Sequence, residues 1–250
     1  MTRFHIAALS AAFLGSLALR SGHAVLGGLV VLALLLMIGL GAALPQWRFF
    51  GPFVCRGRGA RRCVALTFDD GPDARSTPAL LEVLRTAGVE AAFFGIGHRV
   101  VANPELAARI VREGHLLENH SYAHSKLTNI FSVARLQADL ARTQAVIVQA
   151  TGVAPRWFRP PIGLSNPRVF HVARLLHLTV VGWSAGGLDT QLTEPERIVA
   201  RISRRLAPGA IILLHDGNIP GERLAVTVTK LLDKLRAGGY EVVRLDKMLT

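Results

Sequence analysis

Apolar and polar positions divide the chain into two unlike parts. Phe4 to Leu19 carries no charge apart from His5, and Ala24 to Leu44 is a run of 21 residues with none at all. At helical rise the second run is about 31 Å long, the thickness of a bilayer's hydrocarbon core, and it predicts a transmembrane helix. The first run, about 16 residues, is short for a span and long enough for a signal-peptide core. Gly22-His23-Ala24 is a poor cleavage site and leads straight into more apolar sequence. A two-helix hairpin is therefore expected, with a re-entrant or interfacial first segment as the alternative. Trp47, Phe49 and Phe50 read as an interfacial aromatic anchor.

From about Arg62 onward, short apolar runs alternate with amphipathic ones. The strand-like runs are Val64–Phe68, Ala91–Ile96, Leu116–Glu118, Trp157–Arg159, Thr179–Trp183, Ala210–Leu214 and Glu241–Arg244. Thr77-Pro78, Asn103-Pro104 and Thr193-Glu194-Pro195-Glu196 open helices with N-cap chemistry, while Gly88, Gly114, Gly152 and Gly238-Gly239 stand where helices end. Such alternation predicts an α/β fold with a mainly parallel sheet, open or closed into a barrel. The expected partition is an anchor over 1–50 (helices 4–19 and 24–44), a basic linker over 51–61 and one domain over 62–250.

Composition narrows the classes. Half of the 250 residues are apolar, which excludes a disordered chain, and two cysteines are too few for a disulfide framework. The net charge of +12 comes almost wholly from arginine, since only four lysines are present. No stacking aromatics interleave with these arginines, so nucleic acid is not an expected partner. Arg48, Arg56, Arg58, Arg61 and Arg62 follow the second apolar run, and Arg20 alone lies between the runs. The positive-inside rule then puts the domain on the cytoplasmic face of the membrane. Arg201, Arg204 and Arg205 read as a solvated helix face, with anionic lipid headgroups as the sharper alternative. Cys55 and Cys63 flank a basic turn-like loop; a disulfide across it would contradict the inward topology, and two unpaired thiols are the other reading.

In an α/β fold, chemistry gathers where strands end. Asp69-Asp70, His120 with His124, Arg159, Asp189 and His215-Asp216 all fall at or shortly after the ends of strand-like runs. On one helical turn, His120 and His124 would project from the same face, and a carboxylate would make them a two-His, one-carboxylate site for zinc or non-haem iron. Of adjacent aspartates, one can bind metal while the other serves as general base, oriented by a cation such as Arg159. His215 would complete the set as general acid, with Asp189 keeping it protonated.

Thr67-Phe68-Asp69-Asp70-Gly71-Pro72, His120-Ser121-Tyr122-Ala123-His124, Arg159-Pro160-Pro161-Ile162-Gly163 and Leu213-Leu214-His215-Asp216 resemble, in order and spacing, the motifs of polysaccharide deacetylases, the NodB-homology domain of carbohydrate esterase family 4. The resemblance covers about residues 62–245. It implies a distorted (β/α) barrel and a divalent metal, usually zinc, on Asp70, His120 and His124. Asp69 would be the base that activates the attacking water, Arg159 would hold Asp69, and His215 would protonate the departing amine. The Ile162 N–H would help stabilise the oxyanion, Leu213 would line the pocket for the acyl methyl, and Asp189 would support His215. Two departures stand out: Thr190 replaces the aromatic expected after Asp189, and Ile162 replaces the usual aromatic of the third motif, which removes a sugar-stacking wall. The implied activity is removal of an N-acetyl or other N-acyl group from an amino sugar at a bacterial inner membrane. Its substrate would be an external polysaccharide or peptidoglycan, or a lipid-linked glycan at the inner face. A catalytically silent glycan-binding scaffold is the rival.

Overall fold

A computed structural model describes residues 2–58 and 62–249. Helices α1 (Arg3–Arg20) and α2 (Ala24–Ala43) form the N-terminal hairpin. Then follow β1 (Cys63–Asp69), α3 (Thr77–Ala87), β2 (Ala92–Gly95), α4 (Gly97–Ala102), α5 (Pro104–Arg112), β3 (Leu116–Asn119), α6 (Val133–Thr151) and β4 (Trp157–Phe158). The chain continues through α7 (Pro167–Leu175), β5 (Thr179–Val180), β6 (Ala185–Gly186), α8 (Pro195–Ser203), β7 (Ala210–His215), α9 (Gly221–Ala237), β8 (Glu241–Val242) and α10 (Leu245–Leu249).

All strand pairings are parallel, in the order β5-β4-β3-β2-β1-β7-β6, with β8 beside the first residues of β1. The sheet curls, and segment 53–57 lies in the gap left between its ends: Val54 bridges Val181, Arg56 bridges Ala210, and the Gly57 N–H donates to the Gly209 carbonyl at 2.8 Å. This segment, read from sequence as linker, packs Phe53 and Cys55 into a core cluster with Phe158, Val172 and Val180. Cys55 and Cys63 are both free thiols, and the Gly209 N–H bonded to the Cys63 carbonyl lies between their backbones. Gly59, Ala60 and Arg61 of the intervening loop lie outside the described residues.

Alternation along the strands sorts the core from the site. Val64, Leu66 and Phe68 of β1, with Ile212 and Leu214 of β7, face the helical layer, where α3 and α9 supply Leu80, Leu84, Val228 and Leu231. The opposite positions face the inside of the curl: Ala65 and Ile211 pack there with Phe94 and Trp157. By the same parity Thr67, Asp69, Leu213 and His215 point inward near the strand ends. The three N-cap expectations fail in detail, because none of those helices has a side-chain cap. Thr77 lies inside α3, and its hydroxyl donates to Asp216 at 2.7 Å instead. Side-chain caps are made by Ser132 on α6 and Asn166 on α7.

The hairpin stands apart from this core. Val25, Leu29, Leu32, Leu35 and Leu36 of α2 are each more than half exposed, with the same true of Leu9, Phe13 and Leu19 of α1. An apolar surface of that extent marks a contact with a membrane or another protein, or a signal segment. By length and composition α2 alone is sufficient to cross a bilayer.

Candidate active site

The last residues of β1 and β7 and the loops after β1, β3, β4 and β6 bring Asp69, Asp70, His120, His124, Arg159, Asp189 and His215 to one rim. Arg159 sits at the centre, with 0% of its surface exposed. One guanidinium nitrogen donates to Asp69 Oδ1 at 2.6 Å and to Thr67 Oγ1 at 2.9 Å, the other to the Gly182 carbonyl at 3.0 Å. Its plane lies over the Phe94 ring at 4.1 Å. Burial pulls the Arg159 pKa down while the Asp69 charge opposes it. A buried ion pair of this kind is tolerated because each partner neutralises the other. Thr67, which the sequence reading did not single out, fixes the guanidinium by accepting from it while donating to the Ile212 carbonyl at 2.7 Å.

Asp70, His120 and His124 each offer one ligand atom, and these atoms lie within 4.8 Å of one another. The Nε2 atoms of His120 and His124 are 3.4 and 3.3 Å from Asp70 Oδ1. His120 Nδ1 is 2.7 Å from the Arg159 carbonyl, which can only accept, so Nδ1 carries the proton and Nε2 presents a lone pair. Asp70 Oδ1 is buried with no hydrogen-bond partner. An orphaned carboxylate oxygen facing imidazole lone pairs is what a divalent cation would satisfy, so the donor set fits one. Burial raises the Asp70 pKa, but the imidazoles of His120, His124 and His215 gathered around it outweigh this and hold the carboxyl well below its usual range. Burial and the neighbouring His120 lower the His124 pKa, which favours the neutral, ligating form.

The two histidines do not share a helical turn. Residues 120–124 form an irregular turn in which Ser121 and His124 have φ of 66° and 48°, and the His124 N–H donates to Ser121 Oγ at 3.1 Å. Asn119 supports the turn from behind, accepting from the Ser121 N–H and donating to the Leu140 carbonyl of α6, both at 2.9 Å. Asp70, Ile162 and Leu188 also have positive φ, at 75°, 51° and 56°. Left-handed backbone in non-glycine residues is costly and clusters where function demands it. Helical periodicity carries no signal for such a turn.

His215 Nδ1 donates to Asp189 Oδ1 at 2.9 Å, and the His215 backbone N–H donates to Asp189 Oδ2 at 2.7 Å. Burial lowers the His215 pKa, but the Asp189 hydrogen bond and charge more than offset it, lifting the ring to about 9. Thr190 beside Asp189 therefore does not prevent the pairing. Asp189 is placed by β6, a two-residue strand that hydrophobic patterning missed. Leu213 is 8% exposed, and Ile162 stands out at 54% on the turn between Pro161 and Gly163. Gly163 has no room for a side chain there: a Cβ would meet the Trp183 ring at 2.4 Å. Asp216, also unassigned from sequence, is wholly buried. It accepts from Thr77, and its N–H donates to the Asp69 carbonyl at 2.9 Å, which ties the loops after β7 and β1 together.

Among solved structures, the wild-type CE4 family pseudoenzyme from Bacillus anthracis superposes with a TM-score of 0.74 at 29% identity, covering 80% of this chain and 69% of that one. The peptidoglycan-N-acetylglucosamine deacetylase PgdA of Listeria monocytogenes is 34% identical over 74% of this chain, although the chain spans only 38% of that protein's length. A chitooligosaccharide deacetylase of Bradyrhizobium is 36% identical over 74% of this chain and 85% of its own length. The family model for polysaccharide deacetylase matches residues 56–181, across the strands that carry the first three motifs, and the chain belongs to that family.

Proposed function

We propose that this chain is a membrane-anchored, metal-dependent hydrolase that removes an N-acyl group, acetyl above all, from an amino sugar. The observation that carries the reading is the unpartnered Asp70 Oδ1, 3.4 and 3.3 Å from two imidazole nitrogens and flanked by the Asp69–Arg159 and His215–Asp189 pairs. Asp70, His120 and His124 would hold a divalent cation, with zinc suited to this donor set; as a Lewis acid it would polarise the acyl carbonyl and acidify water.

Asp69, oriented by its ion pair with Arg159, takes a proton as the water oxygen bonds to the acyl carbon. The Ile162 N–H, on the left-handed turn between Pro161 and Gly163, is the protein's donor to the oxyanion. His215, with Nδ1 held by Asp189, gives the Nε2 proton to the sugar nitrogen as the carbon–nitrogen bond breaks. A carboxylic acid and a free amine leave. The relatives that carry deacetylase names support this assignment. The exposed apolar face of α2 supports the anchor.

The test is acyl release by detergent-solubilised full-length protein with added zinc, on N-acetylated oligosaccharides and lipid-linked amino sugars, with Asp69→Asn as control. Release that the variant loses is expected. No release together with no bound metal would return the chain to the silent-scaffold reading, which its pseudoenzyme neighbour keeps in view.

A further inference from the structure

The hairpin meets the domain at the rim that carries the catalytic residues. The Ser165 N–H donates to the Ala42 carbonyl at the end of α2 at 3.3 Å, and Gln46 Nε2 donates to the Trp183 carbonyl at 3.1 Å. Ser165 and Trp183 lie on the loops after β4 and β5, beyond the same strand ends that place Arg159. Ser165 lies three residues along the chain from Ile162, a reach of at most about 11 Å. Between the two contact levels, residues 2–5 and 41–47, the hairpin projects away from the domain with its apolar side chains bare.

The loops at this end expose aliphatic side chains. Ile162 is 54% exposed, Leu127 59%, Ile130 67% and Leu188 38%. The loop holding Leu127 and Ile130 is bound to the anchor-contacting segment, because Asn166 Nδ2 donates to Asn129 Oδ1 at 3.0 Å and Arg168 to the Asn129 carbonyl at 3.4 Å. Aliphatic tips are poor platforms for a sugar ring, which aromatic faces serve better. On the rim to which a bilayer-length helix is hydrogen-bonded, they suit acyl or isoprenoid chains.

On the deacetylase reading above, we infer that the substrate is an N-acyl amino sugar carried on a membrane lipid, presented to the rim where Leu127, Ile130, Ile162 and Leu188 meet the bilayer surface. The anchor then does more than localise the enzyme. It fixes the catalytic mouth at the depth where a lipid's sugar headgroup lies.

The test uses the full chain in phospholipid vesicles with zinc. N-acetylglucosamine on polyprenyl phosphate is supplied in the same membrane, or chitotetraose in the buffer. The lipid-linked substrate should be favoured in kcat/KM by at least about 100-fold, the lower end of what confinement confers. Leu127→Ser with Ile130→Ser should cut that preference about tenfold, the worth of one apolar side chain removed from lipid, with zinc stoichiometry and melting temperature unchanged. Equal rates on the two substrates, or a preference untouched by the double substitution, would overturn the inference while the deacetylase reading stands. Release from neither substrate by zinc-loaded wild type would overturn that reading as well.

Discussion

Asp189→Asn tests the acid arm of the mechanism with little change in shape. The carboxylate accepts from both His215 Nδ1 and the His215 backbone N–H, at 2.9 and 2.7 Å, and an amide oxygen can retain only part of this. In the wild type the ring's pKa is lifted from 6.5 to about 9, because the Asp189 interactions exceed the opposing effect of burial. Without the Asp189 charge, burial is opposed only by Asp69 and Asp70, and the pKa falls toward its ordinary value of about 6.5. At pH 8 the protonated fraction then drops from roughly nine-tenths to a few hundredths, a loss of about 30-fold in kcat/KM from protonation alone. At pH 6 the loss is several-fold at most. The sign is that of a raised histidine pKa: acid competence is full below about 6.5 and fades as pH rises through about 9. The same linkage stabilises the wild-type fold by about 3 kcal/mol relative to the variant below pH 6, an advantage that vanishes above pH 10. The assay is kcat/KM from pH 5.5 to 10 for both proteins, zinc-loaded, with urea unfolding at pH 6 and pH 10. An alkaline limb that stays in place in Asp189→Asn, or a loss uniform in pH, would refute the pairing as the source of the acid.

Three further outcomes follow from the geometry. Asp69→Asn leaves the fully buried Arg159 without its counter-charge and should cost about 3–5 kcal/mol in denaturant unfolding, whereas Asp69→Asn with Arg159→Met should recover stability but not acyl release, since an apolar pair carries no desolvation penalty. Zinc at 1,000 times its dissociation constant should stabilise the wild type by about 4 kcal/mol and His120→Ala with His124→Ala not at all, read as the metal-induced shift in melting temperature. Gly163→Val places a Cβ against the Trp183 ring at a φ of +71°, and should destabilise by about 2–4 kcal/mol with a change in tryptophan fluorescence.

What the sequence made legible is what parity and strand ends encode. Alternation along Val64–Phe68 and Ala210–Leu214 already put Asp69 and His215 beyond buried strands, and the inward positions of β1 and β7 converge as that alternation requires. What it hid are features without periodicity. The two residues of β6 are too few for a pattern, although they set Asp189 against His215. The turn at 120–124 mimics helical spacing while using left-handed backbone, so its histidines converge for a different reason from the one expected. The roles of Thr67, Asn119 and Asp216 depend on partners 145, 21 and 139 residues away, contacts that no local window contains.

The stretch after the anchor is the clearest case of composition misleading about structure. Rich in glycine and arginine, residues 51–61 read as a tether, yet Phe53 and Cys55 are buried. The reason is topological. The hairpin attaches at the strands' C-terminal rim, and β1 must begin at the opposite end to deliver Asp69 to that rim. The chain reaches the start of β1 through the gap beside β5, where unpaired strand groups accept it. Val54 takes up both the Val180 carbonyl and the Gly182 N–H as it passes, at 3.0 and 2.9 Å. Burial meanwhile raises the Cys55 thiol to about 11, which leaves it packed rather than reactive. A segment held this way cannot act as a loose leash. The meeting of the N-terminal hairpin with the rim that carries Asp69 is built into the packing of the domain itself.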